Sequence, residues 1–180
     1  IDTDGCLRPQ TTLDGLAGLK PAFRPDGSVT AGTASPLTDG ASAVLVVSED
    51  YAARNNLEVL AAIRSVSAAG CPPELMGIGP VPATRKALAR AGLSIDDIDV
   101  IEINEAFGSQ AVACIRELGM DEARVNIDGG GIAIGHPLGA TGARITAKAA
   151  QIMKRQGGRF ALSTQCIGGG QGVATVLEAV

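Results

Sequence analysis

The 180 residues carry a net charge of −4, with 46% hydrophobic and 19% charged side chains, a globular composition with room for one core or for one domain plus part of another. No basic tract marks a nucleic-acid surface, and nowhere do about 18 apolar residues run together as a membrane span would. Four cysteines (Cys6, Cys71, Cys114, Cys166) and a single histidine lack metal-ligand spacing, so free thiols in a reducing compartment are the simpler reading. Aromatics make up only 2%, which leaves the core to Ala, Val, Ile and Leu. The chain opens on Ile1 with no leader-like segment, and a piece of a longer protein is expected.

In chain order, "LDGLAGLKPAF" suggests a short helix between turns at Gly15 and Pro21, and "RPDGSVTAG" an Asp-Gly turn followed by an extended step. "SPLTDGASAVLVVSED" predicts a short helix from about Asp39 and then a buried apolar strand, "AVLVV". Ser48 and Glu49 are placed as N-terminal signals for a helix through "SEDYAARNN", and "EVLAAIRSVSAAG" reads as the next strand. "VPATRKALARAG" is the clearest helix, with Pro82 near its start, Leu88 and Ala91 on one face and Gly92 as its stop. "SIDDIDVIEIN" reads as a turn and a strand ending at Asn104. Phe107, Ala111, Cys114, Ile115 and Leu118 are spaced for the buried face of a helix over "EAFGSQAVACIRELG". Ile145, Ala149 and Ile152 do the same for "GATGARITAKAAQIMKRQGG". "RFALSTQ" and "GVATVLEAV" are strands joined by "CIGGGQ". This alternation predicts an α/β layered fold with a largely parallel sheet and a terminal hairpin-like pair.

Ligand crevices of such sheets lie at the carboxyl ends of strands. Three junctions carry polar groups there: Asn104-Glu105-Ala106-Phe107, the His136 loop, and the glycine loop 166–172. Pro137 holds His136 out of the helical region, glycines leave room for a ligand, and the helix start that follows suits a developing oxyanion. A loop histidine satisfied by backbone carbonyls is an equal alternative. Cys166 precedes backbone N–H groups, at Gly168 and beyond, that no side chain obstructs. Near such donors or an imidazole its thiol pKa would fall, yet a buried small hydrophobe is the commoner fate of a free Cys. Asn104 could simply be an N-cap, and Glu105 a first-turn carboxylate answering the helix dipole. The absence of a P-loop and of G-x-G-x-x-G between strand and helix disfavours a nucleotide-binding domain. A Cys-His hydrolase is disfavoured because no helix follows Cys166 to activate it as a primary nucleophile.

"NEAF" (104–107), "GGGIAIGHPLGATGAR" (129–144) and "CIGGGQG" (166–172), in this order, resemble the C-terminal catalytic motifs of thiolases. "LRPQTTLDGLAGLKPAF", "TAGTASPLTDGASAVLVVSE" and "GCPPELMGIGPVPATRKALARAGLS" fit the same family, closest to the degradative 3-ketoacyl-CoA thiolases of bacterial fatty acid β-oxidation. The resemblance implies a thiolase-like fold, a layered α/β architecture with a mixed, mostly parallel sheet, of which this chain is the C-terminal half. Residues 1–30 would be the tail of the loop domain, 31–58 the last helix and strand of the N-terminal domain, and 59–180 the C-terminal domain. The implied reaction is acyl transfer from 3-ketoacyl-CoA to CoA, giving acyl-CoA and acetyl-CoA.

By the same resemblance Cys166 matches the general acid/base and His136 the group that activates the nucleophile. Asn104 matches the amide that holds an oxyanion-pocket water, and the Gly168 N–H a donor of the second oxyanion hole. Ser35, Met76 and Phe107 match positions along the pantetheine or acyl channel. The family's acylated cysteine lies in a stretch these residues do not include, and Cys6, Cys71 and Cys114 do not look like replacements. Thr33, Pro36, Gly108 and Asp128 depart from the usual pattern; Asp128 would perturb His136 by charge if it points inward. No cofactor is implied, because CoA enters as a substrate. The implied partners are CoA thioesters, a homodimer or homotetramer, and a hydratase/dehydrogenase subunit of a β-oxidation complex. The implied location is the bacterial cytoplasm, or the mitochondrion or peroxisome of a eukaryote. A non-catalytic thiolase-fold module that binds CoA or assembles with a partner is the competing expectation.

Overall fold

In the computed structural model, which describes residues 2–180, β1 (Ala62–Gly70), β2 (Val100–Ile103), β3 (Phe160–Ile167) and β4 (Gln171–Glu178) build one sheet in the order β1-β4-β3-β2. Only β2 and β3 run parallel; β3 pairs antiparallel with β4, and β4 with β1. The α/β layering expected from the sequence is therefore present in a mixed sheet, but the sheet is not mostly parallel. Connection length explains the difference. A link of three residues, 168–170, can only turn β4 back along β3, whereas the long passage from β2 to β3 has room for helices and a parallel return.

Helices α3 (Pro80–Ala91) and α4 (Gly108–Leu118) cover one face of the sheet, and α6 (Thr141–Gln156) covers the other. The period-two alternation of the strands supplies both faces. Ile101, Leu162 and Val176 pack with Leu88 and Leu118, while their neighbours Val100, Ala161 and Leu177 pack with Ala149 and Ile152. Of the helix positions expected to be inward, Leu88, Ala91, Ala111, Cys114, Leu118, Ile145, Ala149 and Ile152 are buried, whereas Phe107 and Ile115 are only half-buried. Gly92 ends α3 in the left-handed region at φ 71°, as its place after the last apolar position predicts.

The shorter helices α1 (Leu13–Ala17), α2 (Glu49–Arg54) and α5 (Gly131–Ile134) lie in the connections. Ser48 caps α2 by accepting from the Tyr51 N–H at 3.2 Å. Two expectations fail. Residues 39–47 form neither helix nor strand, and Leu45 and Val46 stand 76% and 68% exposed. The "AVLVV" pattern (43–47) suits a strand, but a strand exists only on a hydrogen-bonded partner, and none pairs with it among the described residues. α4 begins at Gly108 rather than at Glu105, because the residues before it are spent on the site. Among the described residues no helix is long and apolar enough to cross a membrane.

Candidate active site

Asn104 leaves the carboxyl end of β2 still paired to β3: its N–H donates to the Thr164 carbonyl at 3.0 Å. Cys166 stands two residues further along β3, on the same rim of the sheet. Strand alternation continues the α6-facing side of β2 (Val100, Glu102) to Asn104. Its side chain is accordingly buried toward the loop ahead of α6 rather than used as an N-cap. There the Asn104 amide nitrogen lies 3.2 Å from Nε2 of His136.

The other ring nitrogen fixes the tautomer. His136 Nδ1 is 2.6 Å from the Thr141 hydroxyl, whose single proton donates to the Pro137 carbonyl at 3.0 Å. The hydroxyl can then only accept from the ring, so the proton sits on Nδ1 and the lone pair on Nε2, facing the Asn104 amide. Burial, with the positive charge of Arg144 adding to it, holds the imidazole below its ordinary pKa, which favours this neutral form. The start of α6 is less open than its position suggests, since the Ala140 and Thr141 N–H groups both donate to Pro137.

A strap formed by residues 33–42 ties the two loops together. The Thr33 carbonyl accepts from Gly108, Ser35 donates through both N–H and hydroxyl to Ala106, and the Pro36 carbonyl accepts from the His136 N–H. The Ser42 hydroxyl then donates to Ala140 at 2.6 Å. Phe107 bridges Ala34, and its ring meets Phe23 edge-on at a centroid distance of 6.2 Å. The structure thus brings Ser35 and Phe107 together beside the Asn104–His136 pair.

Cys166 is placed differently. Alternation along β3 sends Gln165 toward α6 and Cys166 toward the α3/α4 face, where Cys71 and Cys114 are its neighbours. Among the described residues its sulfur makes no hydrogen bond to His136, whose ring is bound to Asn104 and Thr141 instead. Burial first, then the Cys71 thiol, pushes the Cys166 pKa up. The lowered pKa expected from the sequence is corrected, since desolvation outweighs any nearby donor and the thiol form rests. Met76, half-buried in a 3-10 turn (Pro73–Ile78), lies on this side, with its carbonyl 3.9 Å from Cys71 Sγ. Gly168 is exposed on the hairpin tip.

Charges behind the site were not evident from motif spacing. Glu102 is buried on β2 beside Lys148 of α6 at 3.3 Å, and burial raises its pKa to about 7 despite that partner. The three guanidinium nitrogens of Arg144 are buried without a partner among the described residues, close enough to Glu102 and Glu105 to feel both charges. Asp128, suspected of facing His136, instead pairs outward with Arg155 at 2.8 Å. Glu105 caps no part of α4. It accepts from Asn126 and from the Ile132 N–H.

Two family models match the chain: "Thiolase, N-terminal domain" over residues 1–50 and "Thiolase, C-terminal domain" over residues 57–179. A 3-ketoacyl-CoA thiolase of Shewanella frigidimarina is 53% identical over 184 residues, covering 100% of this chain and 48% of that protein. One of Aliivibrio salmonicida is 54% identical over 176 residues, covering 96% of this chain and 46% of that protein. Among solved structures, the human mitochondrial 3-ketoacyl-CoA thiolase in complex with CoA superposes with a TM-score of 0.95 at 48% identity, over 100% of this chain and 46% of that one. The Bacillus anthracis acetyl-CoA acetyltransferase gives a TM-score of 0.93 at 48% identity, over 96% and 44%. This chain spans about half the length of the curated relatives it matches.

Proposed function

Because this chain belongs to the thiolase family, we propose that it is the C-terminal part of an acetyl-CoA C-acyltransferase that thiolyses 3-ketoacyl-CoA. We keep the division into a loop-domain tail (1–30), the end of an N-terminal domain (31–58) and a C-terminal domain (59–180). The acylated cysteine of the reaction is assigned outside these 180 residues. The observation that carries the reading is the Asn104–His136 contact, with the imidazole lone pair on Nε2, on the rim where Cys166 stands near the end of β3.

In the proposed sequence His136 takes the proton of the nucleophilic thiol through Nε2, and the thiolate attacks the 3-keto carbon. The bond between C2 and C3 breaks, leaving the acyl group on the enzyme and its electron pair on the acetyl-CoA enolate. Cys166, resting as a thiol because it is buried, gives its proton to that carbon and becomes a thiolate. It then takes the proton of the incoming CoA thiol, whose sulfur attacks the acyl-enzyme and releases acyl-CoA, while the displaced enzyme thiolate recovers the proton held by His136. The buried, unpaired Oδ1 of Asn104 is an acceptor suited to hold a water at the oxyanion. The exposed Gly168 N–H serves the second oxyanion, and Ser35, Met76 and Phe107 line the path of the pantetheine arm. CoA is a substrate, and the reaction uses no cofactor. The finer setting belongs to the same proposal: fatty acid β-oxidation in a bacterial cytoplasm, by a homodimer or homotetramer that pairs with a hydratase/dehydrogenase subunit.

The test is thiolysis of a 3-ketoacyl-CoA by the full-length protein. Cys166→Ala and His136→Ala are each expected to lower the rate at least ~100-fold, the scale of general acid/base and oxyanion contributions. Near-wild-type rates in both would reject the roles, and CoA binding without turnover in the wild type would leave the non-catalytic module.

A further inference from the structure

One carboxylate at the site has no part in the reaction just described. Glu105 directly follows Asn104, and its two oxygens reach different parts of the chain. One accepts from the Asn126 side chain at 2.6 Å and the other from the Ile132 N–H at 3.1 Å. Asn126 is itself bound to the end of β2 through both halves of its amide, accepting from the Ile103 N–H and donating to the Ile103 carbonyl, each at 2.9 Å. Ile132 sits in the single turn of α5, which passes through Gly135 straight into His136.

We propose that Glu105 is a positioning residue whose carboxylate clamps the end of β2 onto the glycine loop, and so sets the separation of the Asn104 amide from the His136 imidazole. The reading rests on the function proposed above. The glycines of the loop agree with it. A Cβ on Gly130 would overlap the Glu105 carboxylate, and one on Gly131 would come within 3.2 Å of Asn104 Oδ1. Gly130 and Gly131 thus leave the space that this carboxylate and this amide occupy. The guanidinium of Arg144, without a partner among the described residues, lies near enough to Glu105 to feel its charge. Two hydrogen bonds accepted by one carboxylate, each assisted by its charge, hold geometry more firmly than those to a neutral acceptor do. The distance being held is that between the two catalytic side chains, so the clamp governs how well His136 takes a proton, not how CoA binds.

The test compares Glu105→Gln and Glu105→Ala with the wild type in the full-length protein. Melting temperature confirms folding, and the His136 ring is followed by its proton–nitrogen NMR correlations, assigned by their loss in His136→Asn. In folded Glu105→Gln, kcat is expected to fall ~10-fold or more with KM for CoA changed less than about twofold. The imidazole titration midpoint or tautomer balance is expected to move with it, and Glu105→Ala to show the larger effect. An imidazole that titrates as in the wild type, or an unchanged kcat, in folded Glu105→Gln overturns the proposal. So does a loss of kcat that only follows the loss of folded protein. A wild type without thiolysis would refute the function instead, while the NMR arm still judges the clamp.

Discussion

His136 and Thr141 lie 2.6 Å apart, and that one contact decides which ring nitrogen is the base. Thr141 is the first residue of α6, five positions past the histidine, and its hydroxyl is committed as a donor to Pro137. Replacing it with valine keeps the shape and removes the acceptor that holds the proton on Nδ1. Thr141→Val is expected to lower kcat for thiolysis by ~10- to 100-fold, because the ring then populates the tautomer with Nε2 protonated. Thr141→Ser should recover most of the rate. Equal rates for valine and wild type would show that the tautomer is set elsewhere.

Arg144 makes a prediction about pH. Its charge adds to burial in holding the His136 pKa below the ordinary value. Arg144 is the one charge that bears on the ring; Glu102 of β2 and Glu105 in the loop after it lie near Arg144, Lys148 of α6 pairs with Glu102, and Asp128 is turned away to Arg155. The neutral imidazole is the working form, so activity should fall as pH drops through the His136 midpoint. Arg144→Met removes a like charge and lets the ring protonate more readily. The acid limb of the pH profile of kcat/KM should therefore move to higher pH in the variant, costing it more activity at pH 6 than at pH 8. A limb that moves down, or stays, would refute the coupling.

Much of this arrangement was legible in the residues. Period 3.6 gave α3 and α6 their inward faces, and the three loop motifs gave the residues of the rim. The remainder depended on pairings that no spacing encodes. "AVLVV" has the composition of a strand, but it pairs with no ladder among the described residues and runs exposed. Glu105 precedes a helix and so suggests a dipole role, yet its donors come from residues 126 and 132. Arg144 looks like an ordinary helix cation until the burial of its head group is seen. The rise in the Cys166 pKa was missed for the same reason: desolvation is a property of the packed layers, not of the neighbours in sequence.

Glu102 ties stability to pH. Its pKa is raised from 4.5 to about 7, chiefly by burial and against the pull of Lys148. The folded state then binds more protons than the unfolded state between those values. The sign follows: the contribution of Glu102 is fully present below about pH 4.5 and is lost as pH rises through about 7. In Glu102→Gln this dependence disappears. The unfolding free energy of wild type minus that of the variant should fall between pH 5 and pH 8, over a full range on the order of 3 kcal/mol. Denaturant titrations at several pH values measure it, and a difference that is flat or rises with pH would contradict the assignment.

The hairpin that carries Cys166 is held where the start of α3 meets the start of β4. A Cβ on Gly79 would overlap the backbone carbonyl of Gln171, and one on Gly172 would overlap the carbonyl of Gly79. Both obstacles are backbone, one at the start of β4 and one in the turn that leads into α3, so neither can move aside as a flexible side chain would. Gly79→Ala must push α3 away from β4 or distort the ladder that places Cys166 opposite Gly172. The expected cost is about 3 kcal/mol of stability, together with loss of thiolysis, because the rim loses its register. Gly168, at the tip of the same hairpin, is the control. A Cβ there meets nothing within 4 Å, so Gly168→Ala should unfold within about 0.5 kcal/mol of the wild type. If chemical denaturation found the two alanine variants equally stable, the close approach of α3 and β4 would not be what fixes the hairpin.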